Sequence, residues 1–275
     1  MTTTYEPNVV LSTEEFDVVG TRPIRHCGPD KVTGKARYGA DYSARTQLYG
    51  KILRSPHAHA VIKSIDAAKA LALSGVKAVV TSADLPVLSG RPVDVAEGSP
   101  LNPRFLSNNV LAADKALYKG HAVAAVAADS VHTAEAALSL IEVDYEVLTP
   151  VLDGKEAMEP DSPILHDRLF RSEGEFFRPG GLRDDDDDSV PTNIASHFVY
   201  ELGDPDQGFK EADVVVEREF RTKPVHQGYI EPHSATVRWD RDGRVTVWGS
   251  SQGHFAIRDF TALVLGIPIS QVKVI

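Results

Sequence analysis

Three groups of side chains in this sequence have types and spacing that could do chemistry: His57 with His59, His226 with Glu231 and His233, and the run Ser250-Ser251-Gln252-Gly253-His254. Imidazole and carboxylate side chains are zinc ligands when at least three converge tetrahedrally. Residues two apart on a strand share a face, which pairs His57 with His59 and Glu231 with His233. No third ligand accompanies the first pair, and His226 falls on the face opposite His233. The spacings favour ordinary polar or interface histidines, and no metal ligand is assigned. The third group lies between a β-rich stretch and a helical pattern. Free backbone donors at the helix start and a glutamine amide can face a ligand there. The competing use is a helix cap made by Ser250 or Ser251, which pattern alone favours.

Other chemistries are missing their signatures. No Gly-x-Gly-x-x-Gly follows a strand, and neither Gly-x-x-x-x-Gly-Lys-Ser/Thr nor Gly-x-Ser-x-Gly occurs. The single cysteine, Cys27, allows no internal disulfide and cannot ligate an iron–sulfur cluster or a structural Cys-type zinc by itself. A formal net charge of −10 repels phosphate backbones and anionic lipid, so nucleic acid is a poor partner. No apolar run approaches a bilayer span, and the N-terminus lacks an export pattern, so the expected location is cytoplasmic. The acidic run Asp184-Asp-Asp-Asp-Asp188 lacks the Gly and Glu spacing of a calcium loop and reads as a solvated loop.

The elements that must position these groups follow from periodicity and punctuation. The 275 residues suffice for about two domains. Residues 1–29 read as an N-terminal arm. Strands are expected at 48–54, 58–65 and 76–81, with Asp66 capping a short helix at 67–73. A Pro-, Ser- and Asn-rich loop covers 90–109. A buried strand at 121–128, a helix at 131–140 started by Asp129-Ser130, and an alternating strand at 141–147 complete an α/β or α+β unit over roughly 37–148. Residues 151–192 form a linker with the acidic loop. From 193 onward, strands are expected at 212–221, 226–239 and 244–249, the last two joined by a hairpin at Asp240-Arg-Asp-Gly243. A helix at 254–265 follows, with Gly266 as C-cap. Residues 272–275 start an apolar strand that the chain does not finish, so its sheet is expected to be completed by something else. The fold class is α+β.

Several stretches, in order, resemble the large subunits of the xanthine dehydrogenase and aldehyde oxidase family of molybdenum hydroxylases. They are Val19-Gly-Thr-Arg-Pro-Ile-Arg25 with Gly28-Pro-Asp-Lys-Val-Thr-Gly-Lys-Ala-Arg-Tyr-Gly-Ala-Asp41, and Arg54-Ser-Pro-His-Ala-His-Ala60 with Gly75-Val76. Further on come Ala134-Glu-Ala-Ala137 into Ile141-Glu-Val-Asp-Tyr-Glu146, Gly203-Asp204 to Phe209, Val225-His-Gln-Gly-Tyr-Ile-Glu-Pro-His233 and Gly249-Ser-Ser-Gln252. The resemblance implies an α/β hammerhead domain at 30–150, then the first, incomplete part of a mixed α/β molybdopterin-binding domain at 193–275. It gives Gln252 the role of approaching the molybdenum's oxo ligand, where a neutral amide donates a hydrogen bond without adding charge.

The family's Phe-containing glycine-rich loop and its catalytic glutamate do not occur in these residues. The resemblance therefore implies a molybdenum hydroxylase chain that is inactive alone, with the glutamate on a partner chain. That enzyme inserts water-derived oxygen into an aldehyde or aromatic heterocycle within a multi-subunit complex. The molybdopterin cofactor would be shared with the chain carrying the rest of its domain, with 2Fe-2S clusters and FAD on an iron–sulfur and a flavin subunit. A carbon monoxide oxidase is a rival of the same class. A binding or assembly protein that kept the fold and lost the cofactor is the alternative of a different class. On this basis, the purified chain alone should show no iron–sulfur or flavin absorbance. Stoichiometric cluster iron in it, measured by metal analysis, would overturn the assignment of electron transfer to partners.

Overall fold

The structure is a computed structural model that describes residues 16–90, 93–94, 100–167, 172–173, 191–194, 196–197, 199–200 and 202–275. Half of the acidic-loop linker, including Asp184 to Asp188, and residues 1–15 of the arm lie outside the described residues. In chain order, the first half contains α1 (Gly28–Val32), β1 (Tyr49–Arg54), β2 (Ala60–Asp66), α2 (Ala68–Ala72), β3 (Val76–Thr81), β4 (Val93–Asp94) and β5 (Pro100–Leu101). It continues with α3 (Pro103–Val110), β6 (Lys115–Ala116), β7 (Ala122–Ala128), α4 (Val131–Leu138) and β8 (Glu142–Val147).

The strands sort into two antiparallel three-stranded sheets, β1-β7-β3 and β6-β2-β8, beside the short β4-β5 pair. Sequence neighbours β1 and β2 therefore belong to different sheets. β7, with the sequence Ala-Val-Ala-Ala-Val-Ala-Ala, is central because its small side chains let strands approach on both edges and helices on its face. Ala124, Val126 and Ala128 pack with Ala70 of α2 and Ala134 and Ala137 of α4, and Leu53, Val79 and Val143 close the cluster. Ile141, Val143 and Tyr145 point inward along β8 while Glu142, Asp144 and Glu146 stay exposed, the period of a half-buried strand.

Local signals set the helix starts. Ser130 Oγ accepts from the Thr133 N–H at 3.0 Å and caps α4, a bond worth about 1 kcal/mol. Asp66 Oδ1 accepts from the Ala68 N–H at 2.9 Å, just ahead of α2. The expected loop at 90–109 is corrected. Its second part is helix α3, whose N-cap Asn102 is buried and accepts from the Arg104 and Phe105 N–H groups at 3.0 and 3.3 Å. Pro103 at the first helical position supports the start rather than breaking it.

The second half contains β9 (Ser172–Glu173) paired with β10 (Ser196–His197), α5 (Pro205–Glu211), β11 (Ala235–Trp239), β12 (Val245–Gly249), α6 (His254–Leu265) and β13 (Val272–Val274). Asp204 caps α5. β11 and β12 form the expected hairpin, and β13 lies parallel to β12 on its other side. The final strand forms as expected: β13 is laddered to β12 along one edge and is an edge strand of the β11-β12-β13 sheet. The expected strand at 212–221 is absent, and of 226–239 only β11 forms. An extended segment becomes a strand only when a ladder partner meets it. Val214, Val216 and Phe220 are 78%, 71% and 89% exposed, with no such partner among the described residues. No helix among the described residues is long and apolar enough to cross a membrane.

His121 links β7 to α3. It is 1% exposed, its Nε2 bonds the Asn108 carbonyl at 2.9 Å, and its Nδ1 accepts from the Leu117 N–H at 3.2 Å. That pair of bonds requires the neutral ring, since a protonated Nδ1 would oppose the Leu117 N–H. Burial pushes its pKa down, against a smaller upward effect of the Asn108 bond. Burial lowers His166 in the same direction. A folded pKa below the unfolded value of about 6.5 makes the unfolded chain take up the extra proton first. Stability is then fully present above about pH 6.5 and lost as pH falls through the folded value. Urea unfolding of the assembled protein should show this loss below about pH 6.5, with a shallower acid limb in His121→Phe. An unchanged limb would remove His121 from the account.

Candidate cofactor-binding site

β12, α6 and β13 make a strand–helix–strand unit with parallel strands. Val245, Thr246 and Val247 bury β12, and Ala262, Val264 and Val272 bury the helix and strand against it. Gly266 ends α6 in the left-handed conformation at φ 64°, and the Ile267 N–H bonds the Ala262 carbonyl at 3.0 Å, closing the last turn. Ligands of α/β units collect beyond the carboxyl ends of the strands. Residues 250–253 occupy that place between β12 and α6.

Within this loop the expected cap is corrected. The N-cap of α6 is Gly253, with no side-chain bond. Ser251 Oγ instead accepts from the Gly253 N–H at 2.9 Å, closing a tight local turn. Ser250 Oγ donates to Glu231 Oε1 at 2.6 Å. Both hydroxyls are thus spent away from the helix, and the leading N–H groups of α6 keep no side-chain acceptor. Gln252 is exposed, and its amide has no hydrogen-bond partner among the described residues.

A strap from the start of the hammerhead crosses the sheet beneath this loop. Thr236 Oγ1 donates to the carbonyls of Gly39 and Tyr42, each at 3.3 Å. Tyr42 stacks on Trp248 with ring centroids 5.3 Å apart, Arg37 covers the tyrosine at 4.8 Å, and Arg238 covers the indole at 5.7 Å. Gly39 is buried, and a Cβ there would lie 3.0 Å from the Ser234 carbonyl and 3.4 Å from Gly249 Cα. Glycine is needed because two backbones meet at this point. Sequence reasoning assigned no role to Gly39, Tyr42, Thr236 or Trp248, although Tyr38-Gly39-Ala40-Asp41 lies inside one of the resembling stretches.

The histidine groups do not assemble. His57 and His59 lie in the turn between β1 and β2, not on a strand. His59 is buried with Nδ1 bonded to the Thr149 carbonyl at 2.8 Å, while His57 meets the edge of Tyr145. His226, Tyr229 and His233 form a pile of edge-on rings, from which Glu231 reaches Ser250. Among the described residues no three His, Cys, Asp or Glu side chains group to hold a metal. A cavity of about 500 Å³ between the hammerhead and the start of the linker is lined by residues including Leu85, Arg104, Phe105, Lys115 and His166. Lys115 is paired with Asp167 at 2.7 Å, and the 250–253 loop takes no part in that cavity.

Residues 33–149 match the model of the aldehyde oxidase and xanthine dehydrogenase a/b hammerhead domain, and residues 187–275 match the molybdopterin cofactor-binding domain. A hammerhead followed by the beginning of a cofactor-binding domain is the class this architecture defines. The chain belongs to the xanthine dehydrogenase and aldehyde oxidase family of molybdenum hydroxylases, as the N-terminal part of the large, molybdopterin-binding subunit. It is similar to the carbon monoxide dehydrogenase large chain of Afipia carboxidovorans, 33% identical over 99% of this chain and 32% of that one. It is also similar to the nicotinate dehydrogenase large molybdopterin subunit of Eubacterium barkeri, 30% identical over 95% of this chain and 54% of that one. The solved Cu,Mo carbon monoxide dehydrogenase in its carbon monoxide reduced state matches with a TM-score of 0.70 and 33% identity, over 93% of this chain and 30% of that one. The chain thus spans about a third of the first relative and about half of the second.

The residues present fit a molybdopterin-type group. Such a group presents oxo and phosphate acceptors. The loop offers an uncommitted amide and uncapped helix N–H groups, and the carboxylate of Glu231 is engaged by Ser250. The platform under the loop depends on the close approach at Gly39. Gly39→Val should cost about 1–3 kcal/mol by overpacking, read as a lowered unfolding midpoint of the assembled protein. A midpoint equal to wild type would show that the strap yields freely.

Proposed function

We propose that this chain supplies the hammerhead and the Gln252 loop of a molybdenum hydroxylase that inserts water-derived oxygen into an aldehyde or aromatic heterocycle. In this reading the rest of the large subunit's cofactor domain, including the catalytic glutamate, completes the site around this loop. An iron–sulfur subunit and a flavin subunit carry electrons away, and the complex is cytoplasmic. The observation that carries the proposal is the free amide of Gln252 on a loop at the carboxyl end of β12, beside the uncapped start of α6. The descriptions of the relatives support the class, since one is a dehydrogenase large chain and another a large molybdopterin subunit.

When bound, the molybdenum cofactor supplies two-electron redox chemistry and activation of the oxygen to be inserted. Gln252 donates an amide N–H toward an oxo acceptor, and its neutrality leaves the charge of the site unchanged. The first N–H groups of α6 add a positive potential suited to anionic or oxo acceptors. β12 and the strap hold the loop so that Gln252 does not have to be ordered at the moment of reaction.

A Gln252→Ala change in the assembled holoenzyme removes one hydrogen bond to a charged centre, worth about 1.5–3 kcal/mol. Turnover should fall by roughly ten- to a hundredfold, with molybdenum and pterin content and assembly unchanged. Full turnover in the variant would remove Gln252 from the mechanism. A purified assembly free of molybdenum and pterin would favour the alternative, a scaffold that kept the fold and lost the cofactor.

A further inference from the structure

We infer that Glu231 is a positioning residue for the Gln252 loop, acting through Ser250; the inference rests on the role proposed for Gln252. Both ends of the loop are fixed by backbone. At the strand end, the Gly249 N–H bonds the Ile275 carbonyl at 3.2 Å, and Gly249 lies opposite Ala235 in the ladder. At the helix end, the Ile257 N–H bonds the Gly253 carbonyl at 3.0 Å, and the Gly253 N–H bonds Ser251 Oγ at 2.9 Å. Between them, Ser250 is the loop residue whose side chain reaches a distant segment, 19 positions back at Glu231. Hydrogen bonds from a hydroxyl to a carboxylate are short and stronger than neutral ones, and this one measures 2.6 Å. Gln252 brings no partner of its own, so the direction of its amide is set by what holds its neighbours.

Glu231 sits where only such a tether gives its carboxylate a use on the described surface. It joins no metal-holding group. The flanking His226 and His233 turn their rings to Tyr229, not to the carboxylate. The segment carrying it forms no ladder before β11, so the Ser250 bond also fixes that segment to the sheet. The tether therefore couples the stretch from Val225 to His233 to the loop beside α6.

The test is a double-mutant cycle in the assembled complex, with Glu231→Ala, Ser250→Ala and the pair, and with Glu231→Gln as the conservative variant. Amide hydrogen exchange of residues 249–257 is read in complex prepared without cofactor, and kcat and KM are read in the loaded enzyme. Each single change should raise exchange in the loop on the order of tenfold and lower kcat by a similar factor with KM unchanged. The pair should be no worse than either single change, and Glu231→Gln, which keeps an acceptor oxygen, should restore most of both. Unchanged exchange, additive effects, or a change in KM confined to Glu231 would each overturn the tether, the last by placing Glu231 against substrate. Gln252→Ala measured alongside separates the two ideas. Non-additive exchange with an active Gln252→Ala variant keeps the tether and defeats the cofactor role. A crippled Gln252→Ala variant with unchanged exchange in Glu231→Ala does the reverse.

Discussion

The contact on which the rest of the structure depends is the crossing of Gly39 over the β11–β12 sheet. Two backbones meet there with no side chain between them. Tyr42 and Trp248 then seal the crossing by stacking between two guanidinium groups. Aromatic stacking contributes about 0.5–1.5 kcal/mol beyond burial, and exposed cation–π contacts about 0.5–1 each. These are modest energies, but together with the Thr236 hydrogen bond to Gly39, which joins residues 197 positions apart, they fix the second sheet to the start of the first domain. The strand that ends at Gly249 is thereby set before the loop of interest begins.

From that platform the division of labour follows. The hammerhead keeps its own core around β7. The second sheet contributes a strand end, a helix start and an amide. Hydroxyls that ordinarily cap a helix are diverted, Ser250 to Glu231 and Ser251 to Gly253. The result is a helix start whose donors are open to a ligand instead of closed by the protein.

What the sequence revealed was what is encoded within a few residues. Ser130 before α4, the span of β3 and the reach of α6 to Gly266 were legible because a cap, an alternation and a left-handed glycine act locally. Helix α3 was missed because Asn102 and Pro103, its start signals, sit among residues that compose loops. The stretch at 212–221 has the composition of a strand, but pairing is not a property of one segment. The family came from short motifs in order, and so did the role given to Gln252, whose loop had already stood out by its place between a strand and a helix. The partners of its neighbours did not, because the Ser250–Glu231 bond and the Gly39 crossing join positions that no period connects.

The alanine character of β7 and α4 has a consequence for how this domain can be interrogated. Ala122, Ala124, Ala128, Ala134 and Ala137 already carry the smallest chiral side chain and are buried. Truncation scanning is therefore blind at these positions: there is almost nothing left to remove. Information about those positions lies in the opposite direction, in graded enlargement of the side chain by Ala→Ser, Ala→Cys and Ala→Val. Inherited or engineered variation meets the same asymmetry, so the damaging changes are intrusions, and the register of acceptable residues is short and made of the smallest ones.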